Sequence, residues 1–122
     1  MGHTRVKAVV ANPTDRVRTQ EVELLVDTGA IYSMLPEDIL GSLGIEPTGK
    51  RRFRLANGKV EEYLTGEAYV EVQGIGVTSL VVFGTEGTIP LLGVTTLELL
   101  GLQVDPVSGT LKPMELLLLH AI

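Results

Sequence analysis

Residues Leu24 to Ala30 read LLVDTGA: an apolar run that ends in an aspartate and is followed at once by Thr28, Gly29 and Ala30. An acid carried to the end of a strand costs free energy unless it is hydrogen-bonded or has a chemical task. One explanation is a turn, in which Asp27 bonds to nearby backbone and Gly29 supplies an unusual φ. The flanks weigh against a plain surface turn, because Leu24, Leu25 and Val26 precede the acid and Ala30 and Ile31 follow it.

Outward from this stretch, the pattern is mostly strand. TRVKAVVA places Val6, Ala8 and Val10 on one side, and Asn12 to Asp15 (NPTD) is turn chemistry. QEVELLVD then puts Val22, Leu24 and Val26 on a single face. EAYVEVQ alternates Ala68, Val70 and Val72 with Glu67, Tyr69 and Glu71; a GIG turn at Gly74 to Gly76 leads to TSLVVFG. In RRFRLANGKVEEY, Asn57-Gly58 lies between alternating runs and predicts a hairpin with positive φ at both turn residues. Two short helices are expected. PEDILGSLG has Pro36 at the first helical position and Gly44 as its stop; TTLELLG has a capping box from Thr95 to Glu98 and Gly101 as its stop. A weak echo between LGSLGIEP (Leu40 to Pro47) and LELLGLQV (Leu97 to Val104) is compatible with two half-chains of similar plan.

Composition narrows the function classes. The chain has 122 residues, 44% hydrophobic and 20% charged, which suits one globular domain spanning 1–122. It has no cysteine, which excludes disulfides, thiol catalysis and zinc–thiolate sites. His3 and His120 have no ligand-spaced neighbours, so neither a metal nor another cofactor is expected. With a net charge of −5 and its one basic cluster, KRRFR at Lys50 to Arg54, read as the solvated face of a strand, nucleic-acid binding is not expected. The apolar run Leu116 to Leu119 is far short of the roughly 20 residues of a membrane span. The opening residues lack a signal-peptide layout and Met1-Gly2-His3 is given no meaning, so a cytoplasmic location without membrane association is expected.

With a second motif, Pro90-Leu91-Leu92-Gly93 followed by TTLELLGL, the sequence resembles the retropepsin-like aspartic proteases, with a cellular or prokaryotic-type member in view. The resemblance covers about residues 5 to 120. It implies a mostly β, closed acid-protease half-barrel with one or two short helices. In the family a hydrophobic–hydrophobic–Gly segment packs under the Asp-Thr-Gly loop, the place here of Leu91, Leu92 and Gly93. The Asn57-Gly58 hairpin stands where the family has its flap, which implies substrate contacts for Ala56, Asn57 and Gly58.

Aspartic proteases use two carboxylates that share a proton, and this chain has one Asp-Thr-Gly; Asp105, in VDPVSG, matches neither motif neighbour. The resemblance therefore implies a homodimer, each copy giving one Asp27 on a twofold axis. Thr28 would hydrogen-bond across the axis, Gly29 would permit the tight loop, and Ala30 would be small where the peptide passes. Ile31 and Tyr32 stand where viral members commonly carry acids, implying more apolar subsites; a tyrosine such as Tyr32, taken alone, is more often a packing residue than a substrate contact. MELLLLHAI (Met114 to Ile122) is either a strand interleaved with a second copy or an ordinary core element. The expected activity is endopeptidase cleavage of peptide or protein substrates. The alternative is a protease-like module that dimerises or binds peptides with little turnover. GIGVTS lacks the third glycine and the strand–helix context of a dinucleotide loop, and Glu61-Glu62 reads as solvated hairpin charge.

Overall fold

A computed structural model describes residues 4–116 and 118. Nine strands and two helices follow in the order β1 (Arg5–Asn12), β2 (Asp15–Val26), β3 (Ser33–Pro36), α1 (Glu37–Ser42), β4 (Gly49–Arg54), β5 (Val60–Val72), β6 (Ile75–Gly84), β7 (Leu91–Leu92), α2 (Val94–Leu100), β8 (Leu102–Val104) and β9 (Leu111–Pro113). The mostly β architecture fits a retropepsin-like domain. Seven strands form one sheet in the order β1-β2-β7-β3-β6-β5-β4, and β1 also pairs with β5. Six strands thus close on themselves, while β4 hangs on the outer side of β5.

Period-two alternation explains where the core lies. Leu24, Leu35, Leu40, Leu92 and Leu102 are each at most 1% exposed, with Val10, Val70, Val72 and Val81 packed among them. Full burial stabilises each leucine by roughly 1.5–3 kcal/mol. Helices α1 and α2 close the ends of this core through Leu40 and through Leu97 and Leu100.

Chain reversals differ in detail from their sequence signals. Gly44 and Gly101 end the helices with left-handed φ values of 76° and 72°. At the end of α1 the Ile45 N–H donates to Leu40 O and the Gly44 N–H to Gly41 O, a Schellman cap. Pro36, however, is the N-cap of α1, one position earlier than its sequence reading. The Thr95–Glu98 capping box does not form. The N-cap is Gly93, and the Val94 and Thr95 N–H groups donate instead to the carbonyls of Ala30 and Ile31.

Hairpin chemistry is likewise redistributed. Asn57 keeps a negative φ and only Gly58 is left-handed, at 87°. Leu55 accepts from Gly58 N–H and donates to Lys59 O, so Ala56-Asn57-Gly58 is a three-residue loop. The two-residue turn with positive φ at both positions is Gln73-Gly74, joining β5 to β6, in place of the expected Gly74–Gly76 turn. Residues 114–116 and 118 belong to no strand or helix; the rest of the Met114–Ile122 segment, with Met1–His3, lies outside the described residues. No helix among the described residues is long and apolar enough to cross a membrane.

Candidate active site

Asp27 follows the last residue of β2, where β2 runs parallel to β7 with Leu25 beside Leu91 and Val26 beside Leu92. The register continues into the loop: Leu25 N–H donates to Pro90 O at 2.9 Å and Asp27 N–H to Leu92 O at 3.0 Å. The loop then bends back on itself. Gly29 N–H donates to the Asp27 carboxylate at 2.9 Å and Ala30 N–H to the Asp27 carbonyl at 3.1 Å. These bonds fix the carboxylate relative to its own backbone and leave its other oxygen outside the loop's bonding. A Cβ on Gly29 would stand 3.3 Å from Asp27 Oδ1, a crowding that glycine avoids.

The aspartate is half-buried within one chain, less enclosed than its apolar sequence frame suggests; Thr28 and Gly29 are exposed. Ile31, despite its apolar side chain, is 67% exposed. Leu92 is fully buried beneath the loop, and Gly93 comes so close to the Tyr32–Ser33 peptide that a Cβ there would lie 2.5 Å from the Tyr32 carbonyl carbon.

Three buried hydroxyls lock this contact. Ser33 Oγ accepts the Gly93 N–H at 2.9 Å and lies 2.6 Å from Thr96 Oγ1, which lies 2.9 Å from Ser79 Oγ. Ser33, Ser79 and Thr96 are at most 3% exposed; Ser79 Oγ also reaches the Leu80 carbonyl at 3.2 Å, whereas Thr96 has, among the described residues, only the two serine hydroxyls as side-chain partners. They carry no signal in the sequence. Serine and threonine are common, and nothing local links positions 33, 79 and 96.

A groove of about 570 Å³ opens beside the loop, lined by Gly29 to Tyr32 on one side and by Arg51 to Leu55 of the β4 region on the other. Tyr32 meets Phe53 edge-on, ring centroids 6.0 Å apart, and Phe53 meets Tyr63 at 5.9 Å. Tyr32 thus both packs and lines the groove. Arg51 Nη1 donates to Tyr32 Oη at 2.8 Å. The Tyr63 hydroxyl donates to Glu61 at 2.9 Å, a bond that holds the Tyr63 pKa above its ordinary value. Of the supporting segment, Leu91 reaches the groove.

The structure therefore gathers Gly29, Ala30, Ile31, Tyr32 and Leu91 around one groove next to Asp27 and Thr28. It does not bring Ala56, Asn57 or Gly58 into the lining. Their place is taken by the strand before them, so KRRFR is more than a solvated face. Asp105 lies in a separate turn, where its carboxylate accepts the Val107 N–H at 2.9 Å. Among the described residues, no three His, Asp or Glu side chains cluster as a metal site would require.

The family model described as "gag-polyprotein putative aspartyl protease" matches residues 14–99, well over half of the chain. The match spans the Asp-Thr-Gly loop, the β4–β5 hairpin and the Leu91-Leu92-Gly93 segment. No curated protein matches the sequence. The chain belongs to this family of retropepsin-like aspartic proteases.

Proposed function

We propose that this member of the aspartyl protease family is an endopeptidase that works as a homodimer, with the two Asp27 carboxylates meeting at a twofold axis. One observation carries the proposal: the chain sets a single Asp-Thr-Gly loop, pinned from below by Leu92, at the mouth of a peptide-sized groove. One carboxylate alone is half of the acid–base pair, and an isologous contact between copies supplies the other. The exposure of Thr28, Gly29 and Ile31 suits such a contact.

In this mechanism the ionised Asp27 takes a proton from a water whose oxygen attacks the peptide carbonyl carbon. The protonated Asp27 of the other copy donates to the carbonyl oxygen, giving a tetrahedral diol. On collapse a diol hydroxyl returns its proton to the carboxylate that had donated, the C=O bond re-forms, the C–N bond breaks and the departing nitrogen takes the proton that the other carboxylate drew from water. The mechanism needs one carboxylate charged and the other neutral, so the rate should follow a bell-shaped pH profile. Thr28 steadies the pair, and Ala30, Ile31 and Tyr32 contact the peptide.

The test is Asp27→Asn, assayed with a quenched-fluorescence peptide library from acid to neutral pH. The expected outcome is an unchanged fold and a loss of cleavage of roughly a thousandfold, the scale of a lost acid–base group. Sedimentation should give twice the 13.1 kDa chain mass for both proteins. Undiminished cleavage by Asp27→Asn would overturn the mechanism; a dimer that binds peptides and cleaves none would instead mark a binding module.

A further inference from the structure

The charged residues that line the groove beside Asp27 are of one sign. Its lining includes Arg51, Arg52 and Arg54 and no Asp or Glu, in a chain whose net charge is −5. Nearby carboxylates are Asp27 itself, Glu61, which accepts from the Tyr63 hydroxyl, and Glu62, which faces Arg52 across the hairpin and lies 3.9 Å from Lys50.

The three arginines are not equivalent. Alternation along β4 puts Arg51 and Phe53 on one face and Arg52 and Arg54 on the other. Phe53 packs against Tyr32 and Tyr63, which marks its face as the groove face. Arg54 turns away to the Gly58 carbonyl at 3.1 Å. Arg51 instead reaches across to Tyr32, bonding its hydroxyl, with the guanidinium carbon 5.5 Å from the ring centroid. That bond steadies the guanidinium while using one of its five N–H donors. The others can grip a carboxylate in the two-pronged geometry that arginine favours.

We propose that Arg51 is a specificity-determining residue that receives an acidic side chain of the peptide, so that the groove selects glutamate or aspartate beside an apolar or aromatic residue. The proposal rests on the peptidase reading in taking a peptide as the occupant. The pairing is charge-assisted and partly exposed, so neutralising the peptide's carboxylate should cost about tenfold in affinity, the low end for hydrogen bonds to charged groups. Salt should narrow the difference.

The experiment uses fluorescein-labelled octapeptides of alanine, valine, leucine and phenylalanine, with Glu, Gln or Lys placed in turn at each of the inner positions. Binding to the Asp27→Asn chain of 122 residues is read by anisotropy, and cleavage by the unsubstituted chain is read as kcat/KM. At one position or more, Glu should bind about tenfold tighter than Gln, and Lys should bind weakest. Arg51→Met should bring the Glu-to-Gln ratio close to one, and Arg51→Lys should keep part of it. A ratio near one before any change at Arg51, or a ratio that survives Arg51→Met, overturns the proposal. Cleavage without Glu preference defeats this proposal and leaves the peptidase reading intact. Glu-selective binding without cleavage by the unsubstituted chain does the reverse, and no binding to any peptide defeats this proposal.

Discussion

Gly93→Ala is the most demanding single change for the site's foundation. The glycine has an ordinary φ of −92°, so the backbone itself would accept alanine. The obstacle is space. The new methyl would lie 2.5 Å from the Tyr32 carbonyl carbon, 2.6 Å from its oxygen and 2.9 Å from the Ser33 nitrogen, all of them backbone atoms. No side chain can rotate away, so the strand entering α2 must part from the segment entering β3. Overpacking of this kind costs about 3 kcal/mol, the upper end of its usual range. With an unfolding entropy near 2.1 cal/mol/K per residue, the loss lowers Tm by roughly 12 °C for a chain of 122 residues. Gly41→Ala is the matched control: it lies within α1 with nothing within 4 Å of the added methyl. It should raise stability by about 0.5–1 kcal/mol. Thermal and urea unfolding at one fixed protein concentration would measure both, since self-association makes Tm concentration-dependent. A Gly93→Ala protein melting within a degree or two of the unsubstituted chain would refute the steric account.

Two other substitutions probe different forces. Thr96→Val keeps the shape and removes the central hydroxyl from the Ser33–Thr96–Ser79 chain, so urea unfolding should show a loss of about 1–3 kcal/mol; Thr96→Ser, which keeps the hydroxyl, should lose less, and the reverse order would contradict the network. The Val107 N–H holds the Asp105 carboxyl below the ordinary aspartate pKa, with lesser help from Lys112 and Ser108. A depressed pKa adds stability above the unfolded value, near 4, that fades as pH falls through the folded one. Asp105→Asn should therefore flatten the acid limb of a stability–pH curve, and an unaltered limb would count against the assignment.

The sheet was legible because alternation survives along β1, β2 and β5, where one face meets the core. The helix stops were legible because Gly44 and Gly101 need a conformation that other residues resist. Helix starts were harder to locate. Thr95 and Glu98 have the composition of a cap, but the carbonyls of Ala30 and Ile31, more than sixty positions earlier in the chain, take the free N–H groups first. The Gln73-Gly74 turn escaped notice because glutamine is an unusual residue at positive φ. At the candidate site, Asp27 to Tyr32 and Leu91 to Gly93 stand out as motifs. The strand wall of the groove, Arg51 to Leu55, drew no site assignment from the sequence, because which hairpin residues face a groove depends on packing such as that of Phe53 between Tyr32 and Tyr63. Scattered hydroxyls that meet only in three dimensions leave no local signal.

The splice of β2 onto β7 also sets a schedule. Asp27 takes its backbone partner from Leu92, and Ser33 holds Gly93, so the loop's support comes from the last third of the chain. As synthesis proceeds, the β1–β2 and β5–β6 hairpins can pair as soon as they emerge, but the Asp27 loop must wait for residues 90–96. Contacts closed over such long separations form late because they carry the largest loop-closure cost. A nascent chain ending near residue 84 thus has most of its strands and no finished aspartate loop. Completion of the aspartate loop is therefore a late event in the folding of this chain.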